Sequence, residues 1–358
     1  MLSFFYETEA LPADAKMVAL LLRTIEQKRK QMVQQPTIMS DIATGGTREE
    51  TSSVLRLVNA AHKQLENLLF NLNNAPDAQA RVIEIARVLT HATDSNPNIA
   101  LACILLNQEE GSYAVRHCVD SAVVALLVAR ALQKGPSETL TIMAAALTMN
   151  VGMLPSQEQL QSRLNAISDQ ELALIHNHPQ QGVDILKQAG INDPDWLNYV
   201  LLHHENEDGS GYPFRKTGDE IPLNAKIISL ADRYCARVSS RSYRKSLLPN
   251  EALSDILLAD HQSMDPMLTT CFIGVLGIYP TGAIVRLASG EIGVVAGKGD
   301  GPTTPLVHAL IGAQGAPLPA PIKRNTANAQ YAIREMLSEE QAGVRFNLQQ
   351  VWGDEARP

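Results

Sequence analysis

Four histidines and one aspartate have the residue types and spacing that could do chemistry. His117 lies just before the apolar run Ser121–Leu132, and His178 precedes Pro179, with Gly182 following. His203 and His204 are adjacent and open the segment HHENEDGSGYP, which runs on through Glu205, Asp208, Gly209, Gly211, Tyr212 and Pro213. Asp232 ends the inner stretch Ile227–Asp232, an ionisable group in an apolar run. A lone buried charge is expensive, so this carboxylate calls for a partner or a cation. Neutral imidazoles and carboxylates projecting from helices into one bundle are how helical proteins build metal sites. Adjacent helical positions are about 100° apart, so one of His203 and His204 could ligate a cation while the other reaches a second cation or a substrate. Any one of these histidines alone reads as a packed or surface residue. An adjacent pair, an acid and a Gly-containing turn in one short segment do not read as core packing. Gly209 and Gly211 are expected to shape the loop through backbone angles closed to other residues.

The elements that must position these groups are mostly helical up to about residue 275. An apolar stripe (Met17, Leu20, Leu21, Ile25) predicts a helix over Asp14–Gln34, with Lys28, Arg29 and Lys30 as a solvated basic end. Thr47 and Glu50 have capping-box spacing ahead of Val54, Leu55, Leu57 and Val58. Ser121–Leu132 is apolar almost all round, as a central buried helix should be. Ser137 is the expected N-cap of a helix over Glu138–Leu147, and Ser168 with Glu171 forms a second capping box. Pro222 opens the helix that carries Asp232. After Tyr279-Pro280-Thr281-Gly282 the pattern turns to β: Ala283–Leu287 meets Ile292–Ala296 across Ser289-Gly290, a hairpin signal. Ala316–Ile322 is Pro-rich, and a last helix is expected near Ala329–Leu337. His62 and His91 stand alone and read as packed or surface residues.

Composition narrows the function classes. Of 358 residues, 45% are hydrophobic and 4% aromatic, enough for a substantial core in about two domains. Acidic residues outnumber basic ones, 38 to 30, against the basic surface of a general DNA binder. No apolar run approaches the roughly 18 residues that span a bilayer. The start, MLSFFYETEALP, has no basic n-region. Cys103, Cys118, Cys235 and Cys271 form no CxxC pair and read as buried thiols of a reducing compartment. The expected setting is the cytoplasm.

The segment HHENEDGSGYP resembles the HHExxDGxGYP signature of the HD-GYP domain, the metal-dependent phosphodiesterase branch of the HD superfamily. His117 matches that family's first metal-binding histidine, His178-Pro179 with Gly182 its HPxxG element, and Asp232 its late aspartate ligand. Arg241-Ser242-Tyr243-Arg244-Lys245 resembles its phosphate-contacting RPYRK element, which makes Arg241, Arg244 and Lys245 candidate substrate contacts. The resemblance covers roughly residues 90–280 and implies hydrolysis of cyclic di-GMP at a centre of two or three metals, iron or manganese, beside diguanylate cyclases that the GYP loop is thought to contact. With the patterns above, the expected fold is mainly α: an α-helical N-terminal region over 1–88, a helical HD-GYP-like bundle over 89–280 and a small β-hairpin-containing extension over 281–358. A homodimer is a further expectation.

The chain departs from the family where the adjacent His-Asp pair should stand. The block aligned with HDIGK reads Met149-Asn150-Val151-Gly152-Met153. The bridging carboxylate has become a neutral amide, the imidazole a soft thioether, and the lysine a methionine. Tyr113 occupies the position where some members carry a Glu for a third metal. Two-metal hydrolysis needs the metals to acidify a shared water and to neutralise phosphate charge, and losing the bridge weakens both. A binuclear centre is therefore not expected. One divalent metal, iron or manganese, could sit among His117, His178, His203, His204, Asp232 and Asn150. The other outcome is a hydrogen-bonded polar core with Met149 and Met153 filling the vacated space. The expected function is a degenerate member that binds a nucleotide or partner in cyclic di-GMP signalling. The alternatives are an active phosphodiesterase with an altered metal site, in which Glu205 and Asp232 supply the negative charge, and an interaction scaffold without metal or nucleotide.

Overall fold

The computed structural model describes residues 53–106, 111–154, 156, 168–239, 246–258, 264–301 and 303–358. The helix expected over Asp14–Gln34 and the Thr47–Glu50 spacing lie outside the described residues.

The chain is mainly α. Helix α1 (Val54–Phe70) starts on Ser53, whose Oγ accepts from the Arg56 N–H at 3.4 Å. It packs on α2 (Ala78–Ser95), and α3 (Pro97–Leu106) is apolar along most of its length. Helix α4 (Tyr113–Ala131) begins well before the run Ser121–Leu132 and takes His117 into the bundle. It is buried on nearly every side, so it is the axis of the bundle. Helix α5 (Pro136–Thr148) starts two positions earlier than expected. Pro136 takes the first helical position, where a missing N–H costs nothing, and Gly135 rather than Ser137 is the N-cap. Helix α6 (Asp169–Gln188) has the expected box of Ser168 and Glu171. Helix α7 (Pro194–Leu202) is capped by Asp193, and α8 (Leu223–Val238) follows Pro222 and packs on α4. Helices α9 (Pro249–Leu258) and α10 (Pro266–Leu276) complete the bundle.

One continuous core runs from Val54 to Leu276 and takes in Leu348 and Ala356 near the C-terminus. Position 88 lies inside α2, whose inner face (Val82, Ile85, Leu89) belongs to that core. Among the described residues, no helix is long and apolar enough to cross a membrane.

The C-terminal part holds a five-stranded antiparallel sheet of β1 (Ile284–Leu287), β2 (Ile292–Gly301), β3 (Thr304–Ile311), β4 (Pro317–Asn325) and β5 (Ile333–Leu337), in the order β4-β3-β2-β1-β5. The expected hairpin is β1–β2, with Arg286 opposite Ile292. The Pro-rich stretch is edge strand β4. Pro317, Pro319 and Pro321 alternate, so the missing N–H groups fall on one side of a strand with no outer neighbour among the described residues. The helix expected over Ala329–Leu337 is instead a 3-10 turn, Ala329–Tyr331, followed by β5. Pairing with β1 and burial of Met336 and Leu337 override the local helical pattern there. Two short helices, α11 (Glu339–Ala342) and α12 (Leu348–Trp352), return the chain to the bundle.

Candidate metal centre

Helix α6 presents His178 through a local backbone device. Pro179 sits inside the helix and has no N–H, so the carbonyl four residues before it, that of Ile175, loses its helical donor. His178 Nδ1 donates to that carbonyl at 2.6 Å. His203 caps the end of α7, where the last carbonyls also lack helical partners. Its Nδ1 donates to Val200 O, again at 2.6 Å. Each contact places the ring proton on Nδ1 and leaves a bare Nε2. The two Nε2 atoms lie 3.3 Å apart. His204 completes the cluster: its ring centroid is 4.0 Å from that of His203 and 5.0 Å from that of His178. One nitrogen from each of the three lies within 4.8 Å of the others.

Burial sets the charge state of this cluster. It pushes His178 down to about 3, with the His203 ring adding to the effect. It also lowers His203 and takes His204 well below the usual imidazole range. Three neutral imidazoles are therefore gathered here, with the Nε2 lone pairs of His178 and His203 facing each other. Asp232, on α8, stands at the edge, its Oδ2 3.9 Å from His204 Nδ1. Its Oδ1 lies 2.6 Å from His117 Nε2. Burial is the largest single influence and opposes the Asp232 charge, but the His117 hydrogen bond and the electrostatic pull of His117, His204 and His203 together hold the carboxyl well below the usual carboxylate range. Among the described residues His117 Nδ1 is buried with no hydrogen-bond partner, and its ring stacks on Tyr113 at 5.8 Å. These donors fit a divalent cation: facing lone pairs at 3.3 Å, a buried anion beside them and a carbonyl behind each of two rings are what such an ion relieves or uses.

The Met149–Met153 block lies against the same part of α6. A Cβ on Gly152 would stand 2.2 Å from His178 O, so only glycine allows this approach. Met149 is fully buried in the core. Asn150 engages the buried Cys118 thiol through both its backbone and its carboxamide. The structure thus brings His178, His203 and His204 together with Asp232 and His117 adjoining, and turns Asn150 to Cys118. Arg241, Arg244 and Lys245 lie outside the described residues.

The loop after His204 is built on Glu205, which is buried and accepts the backbone N–H groups of Phe214 at 2.6 Å and Lys216 at 2.9 Å. Both carboxylate oxygens are thus tied to the loop backbone, which gives Glu205 a structural task beside any charge it lends to the site. Asp208 closes an Asx turn, accepting from the Ser210 N–H at 3.0 Å. Gly209 has the expected left-handed backbone (φ 75°). Gly211 serves differently: a Cβ there would lie 2.5 Å from backbone atoms of His204, Glu205 and Asn206, so it permits close approach rather than an unusual angle. Tyr212, joined to Pro213 by a cis peptide, stacks on His204 (4.7 Å) and on His176 (4.5 Å). The orienting role of Pro179 and the His176 contact were not legible beforehand. Pro inside a helix marks a freed carbonyl and could have revealed the first; nothing in the sequence marks the second. His62 is buried against the Ser112 carbonyl (3.3 Å), and His91 is exposed.

The HD domain family matches residues 63–268. Over 212 residues the chain is 33% identical to cyclic di-GMP phosphodiesterase PA4108 of Pseudomonas aeruginosa, covering 59% of this chain and 49% of that protein. It is 22% identical over 201 residues to cyclic di-GMP phosphodiesterase PdeB of Borreliella burgdorferi, covering 56% and 53%. It is 27% identical over 172 residues to 3'3'-cGAMP-specific phosphodiesterase 2 of Vibrio cholerae, covering 48% and 32%. The chain spans about half the length of the first two relatives. With the family matched over more than half of the chain, and with HHENEDGSGYP closing on the histidine cluster, the chain belongs to the HD domain family, in its HD-GYP branch.

Proposed function

We propose that this chain is a cyclic-dinucleotide-binding regulatory module of cyclic di-GMP signalling that holds one divalent metal and hydrolyses its ligand poorly. The observation that carries the reading is the contrast across the site. His178, His203 and His204 converge, the first two with bare Nε2 atoms, while Asn150, standing where a bridging carboxylate would be, is engaged with Cys118. His178, His203, His204 and Asp232 would hold the metal, with His117 keeping Asp232 ionised. When bound, a single iron or manganese ion would polarise a phosphate oxygen as a Lewis acid. The chain's own groups then bind and orient: Tyr212 covers the His204 ring, Glu205 fixes the loop, and Arg241, Arg244 and Lys245 are the proposed phosphate contacts, Arg being suited to bidentate grip.

The GYP loop, with Phe214 exposed beside Pro213, is the proposed docking point for a diguanylate cyclase domain, and a homodimer remains part of the proposal. The proposed division keeps 281–358 as a separate unit built on the sheet, which has small cores of its own.

The test is metal content, cyclic di-GMP affinity and linear product formation on one anaerobically purified sample, beside the double variant Met149→His with Asn150→Asp. The expected result is about one metal per chain and saturable binding without product, with hydrolysis gained in the double variant. Two or more metals per chain with product that disappears in His203→Ala would establish the active-enzyme reading instead.

A further inference from the structure

A cavity of about 480 Å³ opens where the C-terminal sheet meets the bundle, and none of the site histidines lines it. The volume lies within the roughly 300–1,000 Å³ of small-molecule sites, which favour junctions of this kind. The bundle side is apolar, from Leu101 on α3, Leu127 on α4 and Val275 on α10. Trp352 forms part of the wall and is fixed in place, its Nε1 donating to Ala296 O at 2.9 Å. The sheet side carries Lys298, Lys323 and His308, and no carboxylate lines the cavity. In a chain with 38 acidic and 30 basic residues, a cavity with cations and no acid is a local exception.

The register explains how the charge is placed. His308 on β3 stands directly opposite Lys323 on β4, so both project from one face of the sheet. The next residue, Arg324, projects from the other face and is neutralised there by Glu291 at 2.7 Å. Lys298 and Lys323 are exposed and make no ion pair among the described residues. At the wall, Asn98 has its amide oxygen engaged by Thr281 Oγ1 at 3.4 Å, which leaves its NH2 as a further donor. One end of the cavity therefore offers cations and a donor, and the remainder offers only hydrocarbon and an indole.

We propose that this cavity binds a single-chain amphipathic carboxylate, of the class of a medium-chain fatty acid, with its aliphatic body against Leu101, Leu127 and Val275 and its carboxylate at Lys298 and Lys323. Such a ligand would sit across the joint between the bundle and the sheet, apart from the histidine cluster, so the inference does not depend on the nucleotide reading.

The experiment is calorimetric titration of the full chain with decanoate, decanol and decyltrimethylammonium below their micellar concentrations, followed in parallel by tryptophan fluorescence. Decanoate should bind saturably with one site per chain and perturb the emission of Trp352. Decanol should bind about tenfold more weakly, or about 1.4 kcal/mol, and the ammonium amphiphile more weakly still. The double variant Lys298→Ala with Lys323→Ala should bring decanoate to the level of decanol. Ala131→Phe, at the exposed end of α4 and lining the cavity, should abolish both while circular dichroism and Tm stay unchanged. Decanoate binding no tighter than decanol, or unaffected by Ala131→Phe in a folded variant, overturns the proposal.

Discussion

Pro179 aims the residue before it. By lacking an N–H it leaves the Ile175 carbonyl free inside α6, and His178 Nδ1 takes that carbonyl at 2.6 Å. The imidazole then has only one orientation and one tautomer to offer, with Nε2 towards His203 at 3.3 Å.

Pro179→Ala should therefore weaken metal binding without disturbing the helix. Alanine restores an N–H that competes for Ile175 O, and the His178 ring loses its support. The expected loss in Mn(II) affinity is roughly 10–100-fold, as for other partners that orient a metal ligand, with helical content retained or raised. Titration calorimetry on both proteins checks it. Equal affinities would mean that packing alone holds the ring.

Glu205 should act on the loop rather than on a metal. Its carboxylate accepts from the N–H groups of Phe214 and Lys216. Glu205→Ala strands both donors and should cost about 1–3 kcal/mol of stability. Glu205→Gln keeps an acceptor oxygen and should cost less. Metal stoichiometry should be unchanged in both. Urea unfolding and metal analysis separate the effects, and loss of metal in Glu205→Gln would return the residue to the centre.

The helical bundle was legible because its apolar positions and caps repeat on a helical period, as at Ser168–Glu171 and in the buried run of α4. The histidine cluster was legible for a different reason: His178, the His203–His204 pair and Asp232 are residue types that core packing does not select. What stayed hidden was non-local. The strand Ile333–Leu337 exists because β1 offers it an edge, and the prolines of β4 are tolerated because nothing among the described residues pairs beyond them. The role of Gly211 was misread for a similar reason. Its need for glycine comes from backbone atoms of His204–Asn206 folding back on it, which only the closed loop reveals.

Tyr212 should hold the loop over the cluster through its ring alone. It stacks on His204 and His176, and such contacts add about 0.5–1.5 kcal/mol each beyond the area they bury. Tyr212→Phe should leave Tm and the rate of proteolytic cleavage within residues 206–217 nearly unchanged. Tyr212→Ala should lower Tm and speed cleavage. Similar behaviour of the two variants would show that the hydroxyl, not the ring, secures the loop.

Asp120 should give the protein a stability that falls as pH rises. It lies on α4, buried, with Oδ2 lacking a hydrogen-bond partner among the described residues. Burial raises its carboxyl from the ordinary 3.8 to about 8, although Arg116 pulls the other way. Between these values the folded chain keeps a proton that the unfolded chain has released. The contribution is therefore fully present below about pH 4 and is lost as pH rises through about 8. Asp120→Asn keeps the shape, carries no titrating proton and should flatten this slope. The variant should gain on the wild type steadily from pH 5 to pH 8, by on the order of a few kcal/mol at the upper end. Urea midpoints for both proteins at several pH values provide the measurement. Parallel pH profiles would show that Asp120 is ionised in the folded chain throughout, which a buried carboxylate without a hydrogen bond at Oδ2 could sustain only through Arg116.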